Sequence, residues 1–308
     1  MCQSKQYTMK DEKPVKILPL VRFWGNLYAS LPKLYIPGTN FAIGFTLFSA
    51  LFFSSLRLFY DYLYTSIIEF PPEHPKTKYM AACTVSLSHS MMLVPALWQV
   101  LRSQPYKPCA VMKGTPIYYQ NAVTALLSLC SGYMLYDPIF IVKDNNWQVH
   151  PDDVPFLAHH LVTLIYMSQV RILGVGHISA MTMMFSGELT NPFQSSDSVV
   201  RFAIQLAQPK SLWHVIHPYV EFVFAASYAF VRSVVGPLQI MHIAYDLLLT
   251  AEGRRNVKVY VSCVWVILLT AIIVGSVPWI KECFEMVMDG VGVVKYDESY
   301  DYGSRFEL

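Results

Sequence analysis

Apolar runs of helical length alternate with short polar, proline-bearing segments along most of this chain. The first run extends from about Phe41 to Tyr60 and ends on Arg57 and Asp61, one turn apart, placed to reach the interface or pair. Pro71, Pro72 and Pro75 mark a loop, because proline cannot continue a helix. A second run covers about Tyr79 to Leu101, with Ser86, Ser88, His89 and Ser90 near its middle. A third covers about Tyr118 to Val142, followed by the short polar turn Lys143 to Pro151. A fourth starts at Pro155, where proline suits a first turn and Asp152 or Asp153 suits the N-cap, and ends near Val170 and Arg171. Gly174 and Gly176 break the chain before a fifth, short run from about His177 to Leu189, rich in Ser, Met and Gly, as in helices that face neighbours inside a bundle. Residues 194–213 read as a polar connection. A sixth run covers about Val215 to Val231, a break is expected at Gly236-Pro237, and a helix of unassigned placement covers Leu238 to Leu249. The last run covers about Tyr260 to Ile280. The predicted fold is all-α, a polytopic transmembrane bundle of six or seven spans.

Composition supports a membrane protein. Hydrophobic residues make up 54% and charged residues 14% of 308, with mean hydropathy +0.36. Soluble domains carry about 25% charged residues. The formal net charge of +2, with no basic stripe interleaved with aromatics, argues against a nucleic-acid partner. Residues 1–38 hold Lys5, Lys10, Lys13, Lys16, Arg22 and Lys33 against Asp11 and Glu12, a positive-inside flank that puts the N-terminus in the cytosol. With that orientation, cytosolic segments hold roughly 14 Lys/Arg and the opposite side roughly 8. Phe23, Trp24, Leu27, Tyr28 and Leu31 recur at near-helical spacing, as either an interfacial helix or an aromatic anchor. The expected organisation is a basic segment over 1–38, a transmembrane domain over 39–281 and an acidic, disordered tail over 282–308. No apolar run precedes Pro37, so no cleavable signal peptide is expected, and the first span would act as the targeting signal. The six cysteines show no paired spacing, so neither a disulfide framework nor a zinc site is expected.

Candidate chemistry centres on His159 and His160, two adjacent histidines about one turn inside the fourth run. Ionisable groups at that depth are costly and usually functional. On a helix they point about 100° apart, so one faces a cavity while the other holds a partner. Asp153 lies seven residues before His160, close to two turns, which puts both on one face. A carboxylate beside an imidazole sets its tautomer, as a general base requires. The competing reading is a pair of interfacial histidines snorkelling to headgroups. His89, Asp137 and Glu188 are the other ionisable groups within or at the rims of spans, read as polar-cavity or lipid-contacting residues or as interhelical hydrogen bonds. Glu221 either pairs with a histidine or stays protonated, and Arg232 marks a membrane interface. The nine scattered histidines form no metal-binding boxes, so no metal is expected, and no nucleotide, hydrolase or dinucleotide fingerprint is present.

The ordered set Ser86-Leu87-Ser88-His89, Gly132-Tyr133-Met134-Leu135-Tyr136-Asp137, Asp153 with Leu157 to Thr163, and Ser186 to Phe193 resembles the TLC-domain family, which includes the ceramide synthases. Phe230-Val231-Arg232 adds to the likeness, which covers roughly residues 40 to 280. The resemblance implies a helical bundle around a lipid-accommodating cavity, in the endoplasmic reticulum or another endomembrane, with membrane lipids as partners and no bound cofactor; it names no protein partner. Carried over from ceramide synthases, His159, His160 and Asp153 would serve acyl transfer from acyl-CoA, as co-substrate, to a sphingoid amine, a histidine acting as general base. The His-Asp pair that follows in those enzymes is missing here, where the chain reads His177-Ile178-Ser179-Ala180. Glu188-Leu189-Thr190-Asn191-Pro192-Phe193 instead looks like the family's other branch, linked to lipid sensing, trafficking or membrane composition. The resemblance so favours a lipid-binding or lipid-sensing protein, with acyl transfer as the alternative.

Overall fold

The computed structural model describes residues 18–39, 41–72, 74–206 and 212–290. The N-terminal lysines up to Lys16 and the acidic residues from Asp297 onward lie outside the described residues. Twelve α-helices follow one another among those described: α1 (Pro19–Ser30), α2 (Gly44–Tyr62), α3 (Pro75–Ser103), α4 (Ile117–Asp144), α5 (Val154–Leu173), α6 (His177–Leu189), α7 (Asn191–Leu206), α8 (Leu212–Phe230), α9 (Gly236–Ala244), α10 (Ala251–Asn256), α11 (Val259–Gly275) and α12 (Val277–Gly290).

The bundle is built round α4. Its buried residues run on every side from Tyr119 to Tyr136, because the segment is apolar all round and so must be enclosed. α1 and α2 cover one side of it, α3 and α5 the others, and α7, α8 and α12 stack outward from α3. Trp24 and Tyr28 of α1 are buried in that packing while Phe23 faces outward, so the N-terminal aromatics form a docked helix.

Among the described residues, five stretches are long and apolar enough to cross a membrane: 75–103, 117–144, 154–173, 212–249 and 259–290. Six or seven were expected. α6 has 13 residues, about 20 Å at 1.5 Å per residue, against a hydrocarbon core of about 30 Å. In α2, Thr46, Ser49, Ser54, Ser55, Arg57 and Asp61 interrupt the apolar run, although Leu47, Phe48, Leu51, Leu58 and Phe59 remain exposed on its outer face. Arg57 does pair with Asp61 as expected. It is buried, holds both Asp61 oxygens at 3.1 Å, and also reaches Asp144 Oδ2 at 2.8 Å, which ties the end of α2 to the end of α4.

Three expectations fail on helix continuity. The break at Gly236-Pro237 does not occur: α8 runs into α9 through a π-turn over Val231–Val235, and a second π-turn follows at Tyr245–Leu249. The wide turn just before Pro237 accommodates its missing N–H and its ring. Residues 194–213 are not a polar connection over most of their length. α7 starts at Asn191 with Pro192 in its first turn, where proline fits, and buries Asp197, Val200, Arg201, Phe202 and Ala203. Its polar residues find partners: Arg201 Nη2 reaches Asp197 Oδ2 at 2.9 Å and Glu221 Oε1 of α8 at 3.3 Å, so Glu221 pairs with an arginine rather than a histidine. The acidic segment expected from 282 begins inside α12, which continues to Gly290 and packs on α8.

The α5–α6 turn behaves as the glycines suggest. Gly174 and Gly176 sit at φ +64° and +77°, the left-handed region that side chains disfavour. A Cβ at Gly176 would also lie 2.5 Å from the Trp265 ring, whereas Gly174 faces open space. Gly174→Ala is therefore expected to cost about 1 kcal/mol from backbone conformation alone, with Gly174→Asn costing less, as read by thermal unfolding in detergent.

Candidate functional site

The α4–α5 hairpin sets the register of the site. Its turn carries Asn146 and Trp147 at φ +55° and +62°. Asp153 closes it: its Oδ2 accepts from Asn145 Nδ2 and from the His150 backbone N–H, both at 2.9 Å. Residues 151–153 form a 3-10 turn, so the helical phase that would aim Asp153 at His160 is interrupted. Asp153 is a turn lock, not the partner of His160.

That partner is Asp137. It lies seven residues before the end of α4 and His160 lies six residues after the start of α5, so the two face each other across an antiparallel pair, about 10 Å in from the turn. His160 Nε2 is 3.0 Å from Asp137 Oδ2, and Nδ1 is 2.7 Å from Phe156 O. Phe156 O can only accept, so Nδ1 carries a proton. Nε2 then either donates to the carboxylate or accepts from a protonated Asp137. Either way its lone pair is not open to a substrate.

Tyr133 connects this dyad to a second one. It sits one turn before Asp137 on α4, its ring tilted 37° to His160 at 6.2 Å and stacked flat on His89 at 4.1 Å. Phe53 of α2 packs edge-on against both His89 and Tyr133. His89 Nδ1 lies 3.4 Å from Glu188 Oε2, outside hydrogen-bonding geometry. Glu188 Oε2 accepts from Ser90 Oγ at 2.7 Å and Asn191 Nδ2 at 3.0 Å. Four of the six candidate residues, His89, Asp137, His160 and Glu188, thus converge on one interior band through an aromatic bridge that the sequence reading did not include. The signal for it was the i,i+4 spacing of Tyr133 and Asp137.

His159 is half-buried beside that band, its ring edge-on to His160 at 84°. No described side chain hydrogen-bonds its nitrogens. Arg232 lies within Coulombic reach of it. The guanidinium packs over Tyr228, has a buried Nε without a hydrogen-bond partner, and borders the open space at Gly187, whose Cβ would meet only Arg232 Nη2 at 3.9 Å. Arg232 belongs to the π-turn at Val231–Val235, a feature frequent at functional sites.

A family model described as the TLC domain matches residues 79–284, which takes in both dyads and Arg232. The chain belongs to the TLC-domain family. No curated protein and no solved structure matches it. As a TLC-domain protein with five apolar helical stretches of spanning length among the described residues, it is an integral, multi-pass membrane protein.

Proposed function

We propose that this TLC-domain protein binds or senses a membrane lipid in the endoplasmic reticulum or another endomembrane, and so influences lipid composition or trafficking. The observation that carries this over acyl transfer is the closed His160 dyad. With Nδ1 on Phe156 O and Nε2 on Asp137, His160 has no free lone pair with which to deprotonate an amine. Arg232 has a buried Nε without a hydrogen-bond partner and no described side chain hydrogen-bonds His159, and a cation and an imidazole at one end of the band suit an acceptor-rich headgroup such as a phosphate or carboxylate. The missing His-Asp pair after the histidines supports the same branch of the family.

The test is mass spectrometry of lipids that copurify in mild detergent, followed by incubation with acyl-CoA and a panel of acceptors. The expected result is retained lipid and no acylated product. Removing one charge-assisted contact worth about 1.5 kcal/mol weakens binding about tenfold, so Arg232→Ala and His159→Ala should each lower lipid retention severalfold. A new acylated product that disappears in His160→Ala, in protein that still unfolds cooperatively, would establish the acyltransferase reading instead.

A further inference from the structure

The imidazole of His89 is fully buried; its Nδ1 lies 3.4 Å from Glu188 Oε2, short of good hydrogen-bonding geometry, and its Nε2 has no partner at all. Leaving such a group unmet costs about 1–3 kcal/mol, and an orphan of this kind calls for an explanation, an ion among them. Two further donors surround it. Cys130 on α4 is a free, buried thiol, and Glu188 on α6 is buried. One ligand atom from each of His89, Cys130 and Glu188 lies within 4.8 Å of the others.

We propose that His89, Cys130 and Glu188 bind a divalent transition metal, zinc first among them, between α3, α4 and α6. Zinc at 2.0–2.3 Å from tetrahedral ligands holds them about 3.3–3.8 Å apart. The 3.4 Å separation of His89 Nδ1 and Glu188 Oε2 fits that range, and a ligand atom of Cys130 lies within 4.8 Å of theirs. The mixed nitrogen, sulfur and oxygen set suits zinc and leaves a fourth position. Charge also balances: a thiolate and a carboxylate neutralise a dication, which a site inside a bilayer requires.

The surroundings hold the ligands in place. Ser90 and Asn191 both donate to Glu188 Oε2 and fix its carboxylate. Tyr133, stacked on His89, and Phe53, edge-on to it, set the imidazole plane without using its nitrogens. The sequence expectation of no metal rested on the absence of closely spaced histidine boxes. It does not apply to three ligands taken from three helices.

The experiment is elemental analysis of tag-free, full-length protein in detergent, stripped with a chelating resin, reloaded with zinc and desalted. The expected result is about one zinc per chain in the wild type and about tenfold less in Cys130→Ala and His89→Ala, while Cys109→Ala keeps its metal. Cobalt loading gives a second readout: wild type should show thiolate-to-cobalt charge-transfer absorption, absent in the near-isosteric Cys130→Ser. A wild-type protein that retains no zinc, or metal content unchanged in folded Cys130→Ala, overturns the proposal and makes His89 and Glu188 a simple interhelical pair. The lipid-retention assay is independent of this outcome, so either reading can fail alone.

Discussion

Asp137→Ala is expected to destabilise the detergent-solubilised protein by about 3 kcal/mol. The reason is asymmetric. His160 is buried and its two nitrogens face a carbonyl and the Asp137 carboxylate. Removing the carboxylate leaves the largely buried imidazole's Nε2 without its partner, and breaking a buried pair costs about 3–5 kcal/mol. The lower figure applies because Asp137 keeps some exposure. Asp137→Asn should cost less, since the amide still offers an oxygen and a nitrogen to Nε2. Removing both partners tests the argument. The Asp137→Leu, His160→Leu double variant should be more stable than Asp137→Leu alone, because no polar group is then stranded. Asp153→Ala serves as the contrast. It deletes a turn lock, not a charge partner, so its cost should be about 1 kcal/mol and should not depend on what occupies position 160. Thermal unfolding of these variants beside the wild type, together with His160→Leu and the Asp153→Ala, His160→Leu double variant, measures all of these. An Asp153→Ala loss that vanishes when His160 is replaced would restore Asp153 as the partner.

Gly132→Val should be nearly as damaging through a different mechanism. A Cβ at Gly132 would lie 2.5 Å from Ser49 Cβ, 2.6 Å from Thr46 O and 2.9 Å from Ala50 N. Two of those atoms are α2 backbone, so no side-chain rotation relieves the contact and the helices must separate. Small residues let backbones approach in this way within membranes. Overpacking of this kind costs about 1–3 kcal/mol. Gly132→Ala sets two effects against each other. Helix propensity favours alanine by about 1 kcal/mol, while the clash opposes it. With backbone on the other side the clash wins, and Gly132→Ala should also be destabilising, by less than valine. Gly187→Ala is the control, since it meets only open space and the far end of Arg232. It should be neutral or slightly favourable. The melting-temperature order expected is Gly187→Ala at or above wild type, then Gly132→Ala, then Gly132→Val. An equal effect at both glycines would remove the close-approach argument. Because Tyr133 is the next residue, displacement of α4 at Gly132 should also disturb the stack on His89.

The elements with strong apolar periodicity were legible in the sequence: α3, α4 and α5 begin and end within a few residues of where the pattern puts them, and α11 begins there, although it stops at Gly275 and the expected end at Ile280 falls inside α12. The glycine break before α6 was legible too, because positive φ has a residue signature. What failed were places where a local breaker was accommodated. Pro237 follows a π-turn, and Pro192 occupies a first turn, so α8 to α9 and α7 extend where stops were expected. Within the site, the residue types were legible and their pairing was not. Asp153 and His160 have the right spacing for a continuous helix, but a 3-10 turn intervenes. Asp137 and His160 are 23 positions apart, and only the hairpin closure brings them together. The approach of His89, Cys130 and Glu188 depends on three helices at once and leaves no trace in spacing along one of them.

The segment shared with the family begins at residue 79, but the core round α4 does not. α1 and α2 precede that point and supply the cover over Gly132, the edge of Phe53 against both His89 and Tyr133, and the Arg57 charge that satisfies Asp144. The unit of ancestry and the unit of folding therefore have different borders in this chain. A fragment cut to the shared segment would keep every dyad residue yet present α4 to lipid on its most closely packed side.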